Sequence, residues 1–191
     1  MRHLVTVVGP IGAGKSTIAA LLARRAQAAG MTACPADLDD LAFAQRADLD
    51  LAELWRRAGV AHSALVRGWF DAGVDVVIAH GPFFESRSWE SLLAAAPADS
   101  RHHHVLLRVT FEVALARVQS DPGRGRGARS VQAEFLRATH ESFAGLIEGL
   151  PRIDIDVDTS ASTADEVADR VFHLLELDAL STSCRTERQP G

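Results

Sequence analysis

Gly9-Pro10-Ile11-Gly12-Ala13-Gly14-Lys15-Ser16 is the stretch on which the fold turns, because it separates two segments of different periodicity. Before it, residues 3–9 read His-Leu-Val-Thr-Val-Val-Gly, a β-branched and almost continuously apolar run that suits a strand buried on both faces of a parallel sheet. After it, Ile18, Leu21, Leu22 and Ala26 recur at helical spacing, and Gly30 follows where a left-handed cap ends a helix over 15–29. A glycine-rich turn between strand and helix, closing on Gly-Lys-Ser, matches the pattern G-x-x-x-x-G-K-[ST]. The chemistry of that spacing is anion binding. Glycines let the backbone N–H groups wrap around oxygens with torsions and close approaches that a Cβ would block. The helix N-terminus adds a fixed positive field, Lys15 a compact ammonium and Ser16 a hydroxyl suited to magnesium. The lysine is informative because the chain holds 19 arginines and no other lysine. A point-charge ammonium reaching between phosphates is a role that arginine does not fill.

Composition narrows the classes. At 191 residues, 47% apolar and 24% charged, the sequence fits one domain with one core. The net charge of −5 and pI near 5.9 disfavour nucleic acid as a partner, since phosphate-backbone affinity needs clustered positive charge. No apolar run approaches the roughly 18 residues that span a bilayer, and Met1-Arg2-His3 leads straight into the first strand, so no membrane partner and a cytoplasmic location are expected. Cys34 and Cys184 lie too far apart in context to suggest a disulfide or a zinc site and read as free thiols.

Further along, short β-branched runs alternate with helical patterns. Strands are expected at 31–38, 74–79, 104–109 and 153–157, and helices as two stretches within 40–72 and over 85–96, 111–119, 130–150 and 164–177. Five strands alternating with helices specify a doubly wound α/β fold, a three-layer αβα sandwich with a parallel sheet. The unit runs from 1 to 178, followed by a polar tail at 179–191 that is expected to be disordered. Two clusters outside the first motif carry further chemistry. Asp37 and Asp39, read as an extended segment, point to one side at the carboxyl end of the second strand, where parallel sheets open on their ligands. Asp121-Pro122-Gly123-Arg124-Gly125-Arg126-Gly127-Ala128-Arg129 is a glycine-rich loop whose arginines suit charge neutralisation on a phosphoryl group.

With those residues in view the sequence resembles the small P-loop kinases: shikimate, gluconate and adenylylsulfate kinases, and the chloramphenicol phosphotransferase-like and zeta-toxin-like kinases. The resemblance spans 3–178, and its specific part is the 9–16 motif. It implies a P-loop NTPase fold with strand order 2-3-1-4-5, a lid at about 120–130 and an acceptor-binding segment at about 40–72. It implies ATP and Mg²⁺ as cofactors, held at Gly9, Gly12, Ala13, Gly14, Lys15, Ser16 and Thr17, with Ser16 and Asp39 toward the metal. By the same resemblance Asp39 first and Asp37 second take or orient the acceptor hydroxyl, Arg117 packs on adenine, and Arg124, Arg126 and Arg129 are the candidates to face the transferred phosphate beside Lys15. Asp158-Thr159-Ser160 falls where such kinases line the adenine pocket.

Departures from related patterns matter as well. A guanine-reading Asn-Lys-x-Asp loop is excluded, because the chain has no asparagine and its one lysine lies in the first motif. His80 stands where many P-loop proteins carry an acidic magnesium-associated residue, and the Gly-x-Pro-Arg turn of nucleoside monophosphate kinases is missing after it. His80 is therefore read as a structural histidine of the crevice floor. For the acceptor, Arg46, Trp55, Arg56, Arg57, His62, Trp69, Phe83 and Phe84 mix cations with flat apolar surface, most of the aromatics being expected in the core. The triple His102-His103-His104 reads as the solvated start of a strand rather than a metal centre. The expected activity is ATP- and Mg-dependent transfer of a γ-phosphoryl group to a hydroxyl of a small molecule, such as a metabolite, sugar or antibiotic. The alternative is a nucleotide-dependent ATPase or switch acting on a protein partner; a nucleic-acid-end kinase is disfavoured by the acidic balance.

Overall fold

The computed structural model describes residues 1–45, 49–83, 86–121, 132–150 and 152–177. The elements run β1 (His3–Val8), α1 (Lys15–Ala28), β2 (Ala33–Asp37), α2 (Leu38–Phe43), α3 (Leu51–Asp71), β3 (Val76–His80), α4 (Ser86–Leu93), β4 (Arg101–Arg108), α5 (Phe111–Ser120), α6 (Ala133–Glu148), β5 (Ile155–Asp158) and α7 (Ala164–Leu174). The strands form one sheet in the order β2-β3-β1-β4-β5, and every pairing is parallel.

All six residues of β1 are buried, as a central strand covered on both faces requires. The two faces carry separate apolar clusters. On one, Val5, Val7, Val105 and Leu107 meet Ile18 and Leu22 of α1 and Val167, Val171 and Phe172 of α7. On the other, Leu4, Val8, Val77 and Leu106 meet Val66 and Phe70 of α3, Trp89 of α4 and Phe143 of α6. The sheet register brings Val8 beside Leu106, Asp37 beside His80 and Arg108 beside Asp158, so the carboxyl ends of all five strands share one edge. That edge carries the candidate site residues. No helix among the described residues is long and apolar enough to cross a membrane.

Two local expectations are corrected. The strand expected over 31–38 ends at Asp37, and α2 begins at once with Leu38, because the Asp37 carboxylate accepts a hydrogen bond from the Asp39 amide at 2.8 Å and caps the helix. Asp37 and Asp39 are therefore a cap and a first-turn residue rather than two positions of one extended segment. The two helical stretches expected within 40–72 are α2 and α3, with α3 beginning at Leu51. The histidine triple is no solvated run: β4 starts at Arg101, His102 is exposed, His103 half-buried and His104 buried. His104 is drawn inside by a 2.8 Å hydrogen bond between its Nδ1 and Thr6 Oγ1 and by an edge contact with Trp89 at 4.7 Å.

Candidate functional site

The turn between β1 and α1 is packed where its glycines need it to be. A Cβ on Gly9 would lie 2.6 Å from the Leu107 carbonyl oxygen, and one on Gly12, at φ +82, would lie 2.8 Å from Ala114 Cβ. Gly14, at φ +91, is the N-cap of α1. Around this turn the carbonyls of five successive residues are tied. Lys15 Nζ donates to Gly9 O at 2.9 Å and Pro10 O at 3.1 Å, and the Ala13 amide also donates to Pro10 O. Ile11 O faces His140 Nε2 of α6 at 2.9 Å, Gly12 O accepts from Arg117 of α5 at 3.2 Å, and Ala13 O accepts from Thr159 Oγ1 at 3.3 Å. Because α1 starts directly at Lys15, its first-turn N–H groups end on this turn, and a helix N-terminus with that geometry favours an anion.

Burial holds the Lys15 ammonium below its ordinary pKa, and the carboxylates of Asp39 and, less strongly, Asp37 oppose that shift. The fold thus brings the lysine and both aspartates of the two motifs into one electrostatic group. Asp37 is nearly enclosed at the end of β2, one oxygen capping α2 and the other 3.7 Å from His80 Nδ1 at the end of β3. Behind this pair His62 is buried, bonded to the Ala36 carbonyl at 3.0 Å and tilted against Phe83 at 5.3 Å; burial first lowers its pKa, against the Ala36 carbonyl and Asp37. Such a neutral ring is part of the floor.

Arg117, which the resemblance assigns to adenine, lies on α5 beside the turn. Its guanidinium donates to Thr159 Oγ1 at 3.0 Å and Thr159 O at 2.6 Å as well as to Gly12 O, joining α5, the end of β5 and the glycine turn. Asp158 accepts from the Ser160 amide at 2.7 Å and is held below the ordinary carboxylate range, chiefly by Ser160 and secondarily by Arg108 and Arg117. Arg124, Arg126 and Arg129 lie outside the described residues, as do Arg46, Phe84, Cys184 and the tail at 179–191. Of the remaining acceptor candidates, His62 and Phe83 are core, Trp69 packs against the core, and Arg56 and Arg57 both pair with Glu53 on α3. Trp55 backs the ring of Phe43, which is half exposed and lies one helical turn beyond Asp39. His140 and Phe43 are the residues that sequence reading passed over. The first carries no local signal at all; the second was visible as an aromatic four positions after Asp39, in a stretch expected to be helical.

No protein-family model matches the sequence, and no curated protein matches it either. Solved structures do. The shikimate kinase of Acinetobacter baumannii, solved with shikimate, superposes with a TM-score of 0.59 at 18% identity, covering 92% of this chain and 94% of that one. The APS kinase CysC of Mycobacterium tuberculosis, in complex with AMPPNP and APS, gives 0.61 at 20% identity over 92% and 98%. A sugar kinase from Janibacter sp. HTCC2649 gives 0.61 at 19% over 95% and 98%. The fold is that of the P-loop small-molecule kinases. Its strand order 2-3-1-4-5 agrees with the order that the resemblance implies. Among the described residues no three or more His, Cys, Asp or Glu side chains gather as a metal-binding cluster.

Proposed function

We propose that this chain is a kinase that moves the γ-phosphoryl group of ATP to a hydroxyl of a small molecule. The observation that carries the proposal is that Lys15, at the start of α1, lies in the field of the carboxylates of Asp39, in the first turn of α2, and Asp37, at the end of β2. One group stabilises phosphate charge and the other receives or orients a hydroxyl, and a phosphotransferase needs both on the same crevice.

The residues divide the work as follows. Amides of Gly12, Gly14, Lys15 and Ser16 line the anion cradle, which fits a triphosphate because its carbonyls are tied elsewhere and glycine conformations open the turn. Lys15 leaves its carbonyl partners for the β- and γ-phosphate oxygens. Asp39 accepts a hydrogen bond from the acceptor hydroxyl and lines its oxygen up with phosphorus; as the P–O bond to the leaving ADP breaks and the new P–O bond forms, the hydroxyl proton passes to the carboxylate and on to water. A hydroxyl at Ser16 and a carboxylate at Asp39 or Asp37 suit Mg²⁺, a cation that binds through one or two carboxylates together with substrate phosphates and water. When bound it supplies charge neutralisation on the phosphates. Arg117 packs on adenine, and Arg124, Arg126 and Arg129 are the candidates to close over the phosphoryl group. The segment from α2 through α3 takes the acceptor.

A screen of hydroxylated metabolites, sugars and antibiotics for acceptor-dependent ADP release tests the reading. An accepted compound is expected to lose on the order of 10²–10⁴ in kcat/KM with Asp39→Asn and on the order of 10²–10³ with Lys15→Ala. Activity that no hydroxyl compound stimulates, but that a protein partner does, would replace this reading with a nucleotide-driven switch. Loss with Lys15→Ala but not with Asp39→Asn would move the hydroxyl-orienting role away from Asp39.

A further inference from the structure

The P-loop carbonyls raise a question about their amides. In a trans peptide the C=O and the following N–H point in opposite directions, and the described residues contain no cis bond. Whatever holds the Ile11 oxygen on the outside of the turn therefore aims the Gly12 N–H at the inside. The peptide most in need of such a restraint is this one. Gly12, with its φ of +82, tolerates either orientation of the peptide before it, so the same glycine that lets the turn form also leaves that peptide cheap to flip.

The holder is His140. Its Nε2 lies 2.9 Å from Ile11 O, and since a carbonyl only accepts, Nε2 carries the proton. The ring is itself braced: it meets Phe111 of α5 edge-on, with centroids 6.0 Å apart, and the Arg137 guanidinium sits 4.0 Å over the same Phe111 ring. The next two peptides are held by Arg117 and Thr159, residues already placed beside the nucleotide. His140 comes from α6, 129 residues away from Ile11, and belongs to no nucleotide motif. We infer that His140 is a positioning residue for the phosphate cradle, fixing the Ile11–Gly12 peptide so that the Gly12 amide is presented to a nucleotide phosphate oxygen. The inference rests on the proposed nucleotide site and adds a third anchor to it.

Calorimetric titration of the full chain with Mg·ATP, alongside the amide NMR signal of Gly12, tests it in wild type, His140→Ala, His140→Gln and His140→Asn. Losing one oriented hydrogen bond is expected to weaken Mg·ATP binding in His140→Ala by about 3- to 10-fold. The expected kinetic signature is a raised KM for ATP with kcat little changed. The Gly12 amide signal should shift on adding Mg·ATP in wild type and respond less in His140→Ala, while at least one of the two amide side chains restores both readings to within about 2-fold. Wild-type affinity and Gly12 response in His140→Ala would overturn the inference. So would a weakened His140→Ala that neither Gln nor Asn rescues while all four melt alike, because the ring would then serve packing alone. If wild type binds no Mg·ATP, the nucleotide site itself fails and this anchor falls with it; binding in wild type that is indifferent to residue 140 removes only the anchor.

Discussion

Gly12 shows how little room the P-loop leaves. Its φ of +82 is a conformation that L side chains adopt at a cost of about 1–2 kcal/mol. A methyl group there also meets the Cβ, Cα and carbonyl oxygen of Ala114 at 2.8, 2.9 and 3.0 Å, and backbone cannot swing aside. Gly12→Ala is therefore expected to lower the melting temperature by about 4 °C or more, at roughly 2–4 °C per kcal/mol for a chain of this size. It should weaken Mg·ATP binding as well, since α5 and the turn are pushed apart; differential scanning fluorimetry with and without nucleotide reads both. An unchanged melt would mean that the approach of α5 is looser than the geometry states. This residue, Gly9, Gly14 and Lys15 were legible in the sequence because the motif spacing is local and every member has a reason to be that residue type. The role of His140 and the bond from Thr159 to the turn were not, because their partners stand 129 and 146 residues away and neither a helical histidine nor a threonine after a strand announces what it will touch.

Helix α2 exists where it does because Asp37 caps it. Read as sequence, Asp37-Leu38-Asp39 serves equally as the last pleat of a strand or as a cap with its first turn, and only the 2.8 Å bond from the Asp39 amide to the Asp37 carboxylate decides between them. The same limit applied to the histidine triple, whose burial depends on Thr6 and Trp89 from other elements, whereas the alternation of strands and helices needed no such outside knowledge. Asp37 consequently has two duties, a cap for the helix that carries Asp39 and a charge near Lys15, and substitution separates them. Asp37→Ala removes both and is expected to cost about 1 kcal/mol, a fall of roughly 2–4 °C in melting temperature. Asp37→Asn keeps an acceptor for the Asp39 amide, so it should melt close to wild type while still losing the carboxylate charge. If phosphotransfer falls in both variants but stability only in the first, the charge matters in its own right. Equal melting losses in both would show that the His80 contact, rather than the cap, anchors this strand end.

At the scale of the molecule the sheet has two ends with different chemistry. The carboxyl ends of the strands meet the P-loop; the opposite edge is lined by histidines. His3 is buried at the start of β1, stacked on His103 of β4 with 5.4 Å between centroids, and the Nδ1 of one lies 3.1 Å from the Nε2 of the other. A contact of that kind needs one N–H and one lone pair, so a proton added to both rings sets donor against donor. Burial, then the neighbouring charges of His103, Arg101 and the amino terminus, lower the His3 pKa from 6.5 to about 4 against a weaker pull from Asp75. His103 and His104 are lowered too, each chiefly by burial and each opposed by Asp154; beyond them lie His102 and, for His103, Arg101 and Glu176, and for His104, Arg152. Each depressed group binds a proton more readily in the unfolded chain than in the folded one. Stability is then at its full value above pH 6.5, falls as the pH drops through the interval down to about 4 for His3, and does so at up to about 1.4 kcal/mol per pH unit for each such histidine. Urea unfolding at pH 7.5, 6.0, 5.0 and 4.5 is expected to trace that decline in wild type, and His3→Phe, which keeps a flat ring but cannot take a proton, should trace a slope shallower by up to one proton over the same range. Parallel curves for the two proteins would mean that His3 titrates alike folded and unfolded, and that the pair at this edge is packing without linkage to acid.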